Sequence, residues 1–334
     1  MAQPLTQEWY DQVDEEVVDP GQRILDAHHH LWPPGGLVPY GIDELRDDVR
    51  SGHLVEATVF MECGAAYATG GPSWLASVGE TAFVADVAAN DPDALVAGIV
   101  AHTDLSDLEH LDEALDAHQS ASGGLLRGIR DAGSSAEHPE VLLIPGTAAP
   151  GRYADEEFRR GVARLGQRSM TYDTWHYHYQ NREFAELARA VPDTLMVLDH
   201  FGTPLGVGPY EAHREEIYAQ WRLDIAEIAR CENVVAKLGG LAMPDNGFGW
   251  HVADRPPSSD EFVAAQGRYY DHAIECFGPQ RCLFESNFPV DRLSLSYRVL
   301  WNGLKKIAAD YSEAERDAMF FSNAARIYGV APRA

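Results

Sequence analysis

Residues 26–30 read Asp26-Ala27-His28-His29-His30 and follow directly on the apolar pair Ile24-Leu25. Successive side chains of an extended strand point to opposite faces, so the spacing places His28 and His30 on one side and His29 on the other. Two imidazoles at the end of a strand can share one divalent cation. The stretch therefore predicts a first strand whose end carries a metal-binding histidine pair. A pair that only hydrogen-bonds a core carboxylate remains the alternative.

Seven further apolar runs of strand length follow, and longer amphipathic segments separate them. These runs lie at residues 57–63, 95–101, 125–130, 169–175, 195–200, 234–239 and 282–287. Strands that alternate with helices are typical of βα units and a parallel sheet, and eight such units predict an α/β fold of the (β/α)8 TIM-barrel class. We expect one domain over residues 24–330, with residues 1–23 forming an N-terminal extension that packs on the barrel.

Composition narrows the range of partners. The chain has 334 residues and a formal net charge of −26, which would repel a nucleic-acid backbone. No apolar stretch approaches the roughly 20 residues that span a bilayer, and the polar N-terminus lacks the features of a signal peptide. The sequence thus predicts a cytoplasmic protein that acts on a small molecule, with neither a nucleic-acid nor a membrane partner. Whether it forms a homo-oligomer is left open.

The sixth and eighth runs end in groups suited to catalysis. His200 closes the sixth run, where an imidazole can serve as a metal ligand or a general acid–base group. In the eighth run Glu285 and Asn287 share a face by alternation, and Asp291 follows in the loop. We expect His200, Glu285, Asn287 and Asp291 to be catalytic, and His28, His30 and His200 to be the metal ligands. A backbone-bonded His200 and a Glu285 paired with a buried cation are the alternatives.

Several side chains near other strand ends are candidates for substrate binding. Arg127 and Arg130 end the fourth run, and guanidinium groups bind carboxylates in bidentate fashion. Their spacing puts them on opposite faces of a strand, so at most one points inward. The other candidates are Trp175 and His176 at the end of the fifth run and His251 after the seventh, with His178, Glu62 and Lys237 as weaker ones.

Four motifs, in this order, resemble one branch of a known superfamily. They are Asp26-x-His28-x-His30, Arg127-Gly128-Ile129-Arg130, Leu198-Asp199-His200-x-Gly202-x-Pro204 and Ser286-Asn287-Phe288-Pro289. Together they resemble the amidohydrolase-related TIM-barrel branch of the amidohydrolase superfamily, which contains sugar lactonases and 2-pyrone-4,6-dicarboxylate lactonase. The resemblance extends over residues 24–328.

The resemblance implies a hydrolase that opens a lactone or similar cyclic ester with an activated water, and the arginines favour a substrate that bears a carboxylate. Relatives usually have aspartate where this chain has Asn287. An amide is neither a general base nor an anionic ligand, so we expect a divalent cation, Zn²⁺ or Mn²⁺, to be weakly held or absent. The base would then be Asp291, Glu285 or His251. The alternatives are a non-oxidative decarboxylase of an aromatic or muconate-type acid and a non-catalytic barrel that binds a small acid.

Overall fold

The computed structural model describes residues 6–36 and 38–331. Within these residues eight strands form one parallel sheet whose order follows the chain. The prediction of a (β/α)8 barrel is therefore confirmed. The strands are β1 (Arg23–His29), β2 (Leu54–Met61), β3 (Val96–Ala101), β4 (Leu126–Arg130), β5 (Thr171–Thr174), β6 (Met196–Leu198), β7 (Val234–Leu238) and β8 (Cys282–Phe284).

One main helix follows each strand, and further short helices stand at the two ends of the chain. The short helix between β1 and β2 escaped the sequence analysis. A single helix predicted over residues 312–328 consists of two α-helices with a π-helical turn, Ala318–Ser322, between them. The helices are α1 (Gln7–Tyr10), α2 (Ile42–Val49), α3 (Val78–Asn90), α4 (Leu111–Ala121), α5 (Glu156–Gln167), α6 (Asn181–Ala190), α7 (Arg214–Ile228), α8 (Ser259–Phe277), α9 (Tyr297–Ile307), α10 (Glu313–Asp317) and α11 (Asn323–Ile327).

The strands are buried on both faces, as is usual for a parallel sheet that helices cover. Their inward side chains fill the barrel, and the chain after α10 closes its amino end. Phe321 and Tyr328 pack into this inner cluster, while the Asn323 amide donates to Cys282 O at the start of β8. The carboxyl end of the strands is thus left for a binding site, as in other barrels of this class.

A β-bulge in β1 sets the direction of the histidines. Asp26 pairs with Thr58 and His29 pairs with Phe60, so β1 contains one more residue than β2 between these pairs. Such a bulge changes the face to which the following side chains point. Asp26 faces the helical layer, where it accepts a hydrogen bond from Tyr297 at 3.0 Å. Strict alternation would have placed Asp26 on the same side as the histidines.

The segment after β8 closes the barrel against β1. His29 forms a parallel bridge with Phe288, and His30 N donates to Phe288 O at 2.8 Å. Asn287 N donates to His28 O at 2.9 Å. These bonds bring the backbone of Asn287 beside the histidine pair.

The N-terminal segment first contacts the loops that follow β7 and β8, and residues 15–19 then contact the start of α8 and the helix α9. Trp9 is buried and its indole donates to Ala253 O at 3.0 Å, while the Tyr10 hydroxyl donates to Arg292 O at 2.6 Å. Residues 1–5 of the predicted extension lie outside the described residues. In the described part of the chain, none of the helices combines the length and apolar character needed to cross a bilayer.

Candidate active site

A cavity of about 880 Å³ opens at the carboxyl end of the strands. The loops after β1 to β5, β7 and β8 line it, together with His200 at the end of β6. Five further predicted residues lie in its wall: His30, Glu62, Arg130, Trp175 and Asn287. His28 lies next to His30 and is fully buried.

His28 and His30 turn one nitrogen each towards the other. His30 Nδ1 lies 2.8 Å from Met61 O; because a carbonyl only accepts, this nitrogen carries the hydrogen. His28 Nε2 lies 3.4 Å from Arg130 Nη1, which can only donate, so this nitrogen is an acceptor. The two Nε2 atoms are 3.2 Å apart and present lone pairs to each other. Burial, followed by nearby cations, lowers the pKa of both imidazoles well below the usual value, which favours their neutral forms.

The Glu285 carboxylate lies between two of the histidines. Its Oε1 accepts from His200 Nδ1 at 2.7 Å, and its Oε2 is 2.8 Å from His28 Nδ1. The second contact is not aligned as a hydrogen bond, and neither of its atoms has a hydrogen-bond partner among the described residues. Among the described residues, His28, His200 and Glu285 form a cluster whose donor atoms all lie within 4.8 Å of one another. Neutral imidazoles and a carboxylate are ligands that Zn²⁺ and Mn²⁺ accept, so the residues present fit a divalent cation.

The formal charges below the histidines also suit a divalent cation. Lys237 Nζ lies 3.0 Å from Asp173 and 3.1 Å from Asp199, and all three side chains are fully buried. Burial alone would lower the pKa of Lys237, but the two aspartates raise it above the usual value, so the amine stays charged. The buried network contains four carboxylates and two cationic side chains, so it carries a surplus of two negative formal charges. The carboxylates are Glu62, Asp173, Asp199 and Glu285, and the cations are Arg130 and Lys237.

A pair of glycines after β7 makes room for this arrangement. A Cβ at Gly239 would overlap Glu285, and a Cβ at Gly240 would overlap the His200 ring. Gly240 also has φ +74°, a conformation that side chains other than glycine rarely adopt. The backbone of β7 therefore approaches both groups more closely than any other residue would permit.

Neither arginine has the free guanidinium group expected of a substrate-binding residue. Arg130 lines the cavity, but its Nε donates to Glu62 at 2.7 Å and its Nη1 to Asp199 at 3.3 Å. Arg127 lies near the start of β4, where it donates to Gly124 O at 2.8 Å. Both guanidinium groups thus donate hydrogen bonds to acceptors of the protein itself. The geometry gives no support to the hypothesis that either arginine binds a substrate carboxylate.

Replacing each arginine by methionine tests this interpretation. Arg130→Met leaves the buried Asp199 without one of its partners, so we expect a loss of about 3 kcal/mol in the free energy of unfolding, accompanied by lower activity. Arg127→Met, the matched control, should change KM little. Urea unfolding and steady-state kinetics measure both effects. A higher KM in Arg130→Met at unchanged stability would instead restore the carboxylate-binding role.

Trp175 and His176 adjoin each other in sequence but lie in different surroundings. Trp175 lines the cavity, and its buried indole N–H has no acceptor among the described residues. Both ring nitrogens of His176 are engaged below the cavity, with the Tyr153 hydroxyl at 2.8 Å and Asn181 Oδ1 at 2.9 Å. The Trp175 ring can therefore contact a ligand in the cavity, whereas His176 holds its own loop in place.

Three further predicted residues lie outside the described cavity wall. His251 lies in the loop after β7, and His178 Nδ1 accepts from Leu205 N at 3.3 Å. Asp291 is buried behind Asn287, whose amide donates to it at 2.9 Å. Burial raises the pKa of Asp291 to about 7.

Sequence reasoning missed one side of the cavity. Tyr67, His102, Asp104 and Asp131 line it from the loops after β2, β3 and β4, together with Arg152. His102 and Asp131 come within a residue of the ends of their strands, so their position at a strand end was the available signal.

A family model described as "Amidohydrolase" matches residues 25–330, and the chain belongs to this family. It is accordingly an enzyme of the amidohydrolase superfamily. The chain is 31% identical over 339 residues to the uncharacterised protein y4mH of Sinorhizobium fredii, a match that covers 95% of this chain and 99% of that protein. It is 28% identical over 316 residues to the L-fucono-1,5-lactonase of Burkholderia multivorans, over 93% of this chain and 97% of that enzyme.

A solved structure shows the same architecture. It is an amidohydrolase from Burkholderia multivorans with bound zinc, 26% identical in sequence, with a TM-score of 0.71 over 92% of this chain and 99% of that one.

Proposed function

We propose that the protein hydrolyses a lactone or similar cyclic ester with an activated water. The observation that carries the proposal is the 3.2 Å distance between the Nε2 atoms of His28 and His30 in a buried site, where the other contacts of both rings assign a lone pair to each of these nitrogens. Lone pairs at this distance repel each other unless a cation lies between them. The similarity to a lactonase and to a zinc-containing barrel supports the same conclusion.

His28 and His30 would hold the cation through their Nε2 atoms, and the Glu285 carboxylate, 2.8 Å from His28 Nδ1, would supply negative charge close to it. When bound, the cation polarises the ester carbonyl and lowers the pKa of water towards about 7. His200 faces the cavity while its Nδ1 is bonded to Glu285, which leaves Nε2 to take a proton from the attacking water. As the ring C–O bond breaks, the same nitrogen returns the proton to the leaving oxygen. The Trp175 ring would pack against the substrate.

Metal analysis and a substrate screen test the proposal together. Protein purified without added metal is assayed by mass spectrometry for Zn and Mn, and then for acid release from lactones and for CO₂ release from aromatic and muconate-type acids. Ring opening is the expected result. Release of CO₂ would indicate a decarboxylase, and binding without turnover a non-catalytic barrel; either would overturn the proposal.

The amide at position 287 predicts a weak metal site. Two imidazoles and an amide are a poor set for tight binding, so we expect native protein to hold less than one equivalent of metal and Asn287→Asp to hold more. Asn287 has φ +54°, a conformation that asparagine and aspartate both tolerate, so the change preserves the backbone.

Asn287→Gly is the matched control, because it removes the amide without adding charge and glycine also adopts a positive φ. One tight equivalent in the native protein, with no gain in Asn287→Asp, would show that a carboxylate such as Glu285 already completes the site.

A further inference from the structure

The cavity wall is divided into a polar and an apolar part. Loops after β2, β3 and β4 supply the polar part: Glu62, Tyr67, His102, Asp104 and Arg130. The loops after β1, β7 and β8, with the tip of the loop after β4, supply the apolar part: Trp32, Val38, Leu143, Ile144, Met243 and Leu293. A ligand that fills the cavity therefore contacts two chemically different surfaces.

The tip of the β4 loop reaches the loop after β7. Asp245, in that loop, accepts hydrogen bonds from Leu143 N at 2.7 Å and Ile144 N at 3.1 Å. The hydroxyl of Tyr177, which follows β5, accepts from Gly146 N at 2.7 Å. Side chains outside the loop thus fix the two aliphatic residues at the cavity.

Leu143 and Ile144 are 55% and 37% exposed, although they line a cavity and belong to a held backbone. An apolar group that covers these two side chains gains free energy by leaving water. The hydroxyls of a sugar ring placed there would instead lose hydrogen bonds with water and find no new partner on the aliphatic side chains. A cavity of about 880 Å³ also has room for more than a small ring.

The charges of the wall do not favour an anionic ligand. The two arginines of the wall are paired, Arg130 with Glu62 and Arg152 with Asp131 and Asp104. These three carboxylates outnumber the two arginines, so a substrate carboxylate would meet no free cationic side chain among these groups.

We propose that the natural substrate is an uncharged lactone with an apolar alkyl or aryl substituent. This inference rests on the proposed function. The ring carbonyl lies at the histidines, and the substituent lies against Leu143, Ile144 and Leu293. The apolar wall then determines specificity, whereas the histidines perform the ring opening.

A series of δ-lactones tests the inference: δ-valerolactone, δ-hexalactone, δ-octalactone and δ-decalactone, with L-fucono-1,5-lactone as the hydroxylated reference. The value of kcat/KM should rise about fourfold for each of the first buried methylene groups. Leu143→Asn should lower kcat/KM for δ-decalactone about tenfold more than for δ-valerolactone. Leu223→Asn is the matched control, because Leu223 is 65% exposed on α7 and outside the cavity wall.

The two proposals fail in different ways. Equal kcat/KM values along the alkyl series, or a preference for L-fucono-1,5-lactone over every alkyl lactone, would overturn the proposal of an apolar substituent. Either result would leave the proposal of lactone hydrolysis intact. If no lactone is opened by metal-loaded protein, the proposed function fails and the inference fails with it.

Discussion

His28→Ala is expected to lower kcat for lactone hydrolysis by about a thousandfold or more, because it removes one of the two nitrogens that would hold the cation. His28 also lies 2.8 Å from Glu285, the carboxylate that orients His200. The variant should bind less metal than the native protein. Steady-state kinetics and metal analysis of the purified variant measure the two effects.

A matched control separates catalysis from folding. His213 precedes α7 with an exposed side chain, so His213→Ala should retain native kinetics. Circular dichroism establishes whether His28→Ala is folded. A folded variant that keeps more than about a tenth of native kcat would contradict a site centred on the histidine pair.

Lys237→Met should reduce the free energy of unfolding by about 3–5 kcal/mol, the usual cost when one partner of a buried ion pair is removed. Asp173 and Asp199 would remain fully buried and lose the amine that lies within 3.1 Å of both. Burial already raises the pKa of Asp173, and loss of the amine should raise it further. The native state of the variant then binds more protons than the unfolded chain, so its stability should fall as the pH rises above the unfolded pKa of the aspartates.

Urea unfolding of the native protein and the variant, at about pH 5 and about pH 8, measures this difference. The double variant Asp173→Asn/Lys237→Met removes one of the stranded charges and should recover part of the loss. Equal stability of Lys237→Met and the native protein at both pH values would show that the ion pairs contribute no net stabilisation.

The sequence predicted the strands well because each is a short apolar run between amphipathic segments. The predicted and observed strand bounds differ most where a strand ends earlier than its apolar run. The sixth run was predicted to extend to His200, but β6 ends at Leu198 and His200 has φ +53°. A local backbone turn of this kind, with Gly240 packed against the His200 ring, leaves no trace in a pattern of apolar residues.

The site was less predictable because partners distant in sequence decide what each group can do. Arg130 has the position expected of a substrate-binding residue, yet its guanidinium group is paired with Glu62 and Asp199. The path of the β4 loop depends on Asp245, about a hundred residues further on. Periodicity describes the face of a strand, whereas these contacts depend on which strands become neighbours.

The Gly239-Gly240 pair has a consequence for the natural and laboratory evolution of this barrel. Because any side chain there would displace Glu285 or His200, a mutational scan should find these two positions intolerant even though neither has a reactive group. A library designed to change the substrate should therefore keep both glycines constant and concentrate its diversity on the loop after β4. New specificities would then be selected without loss of the groups that open the ring.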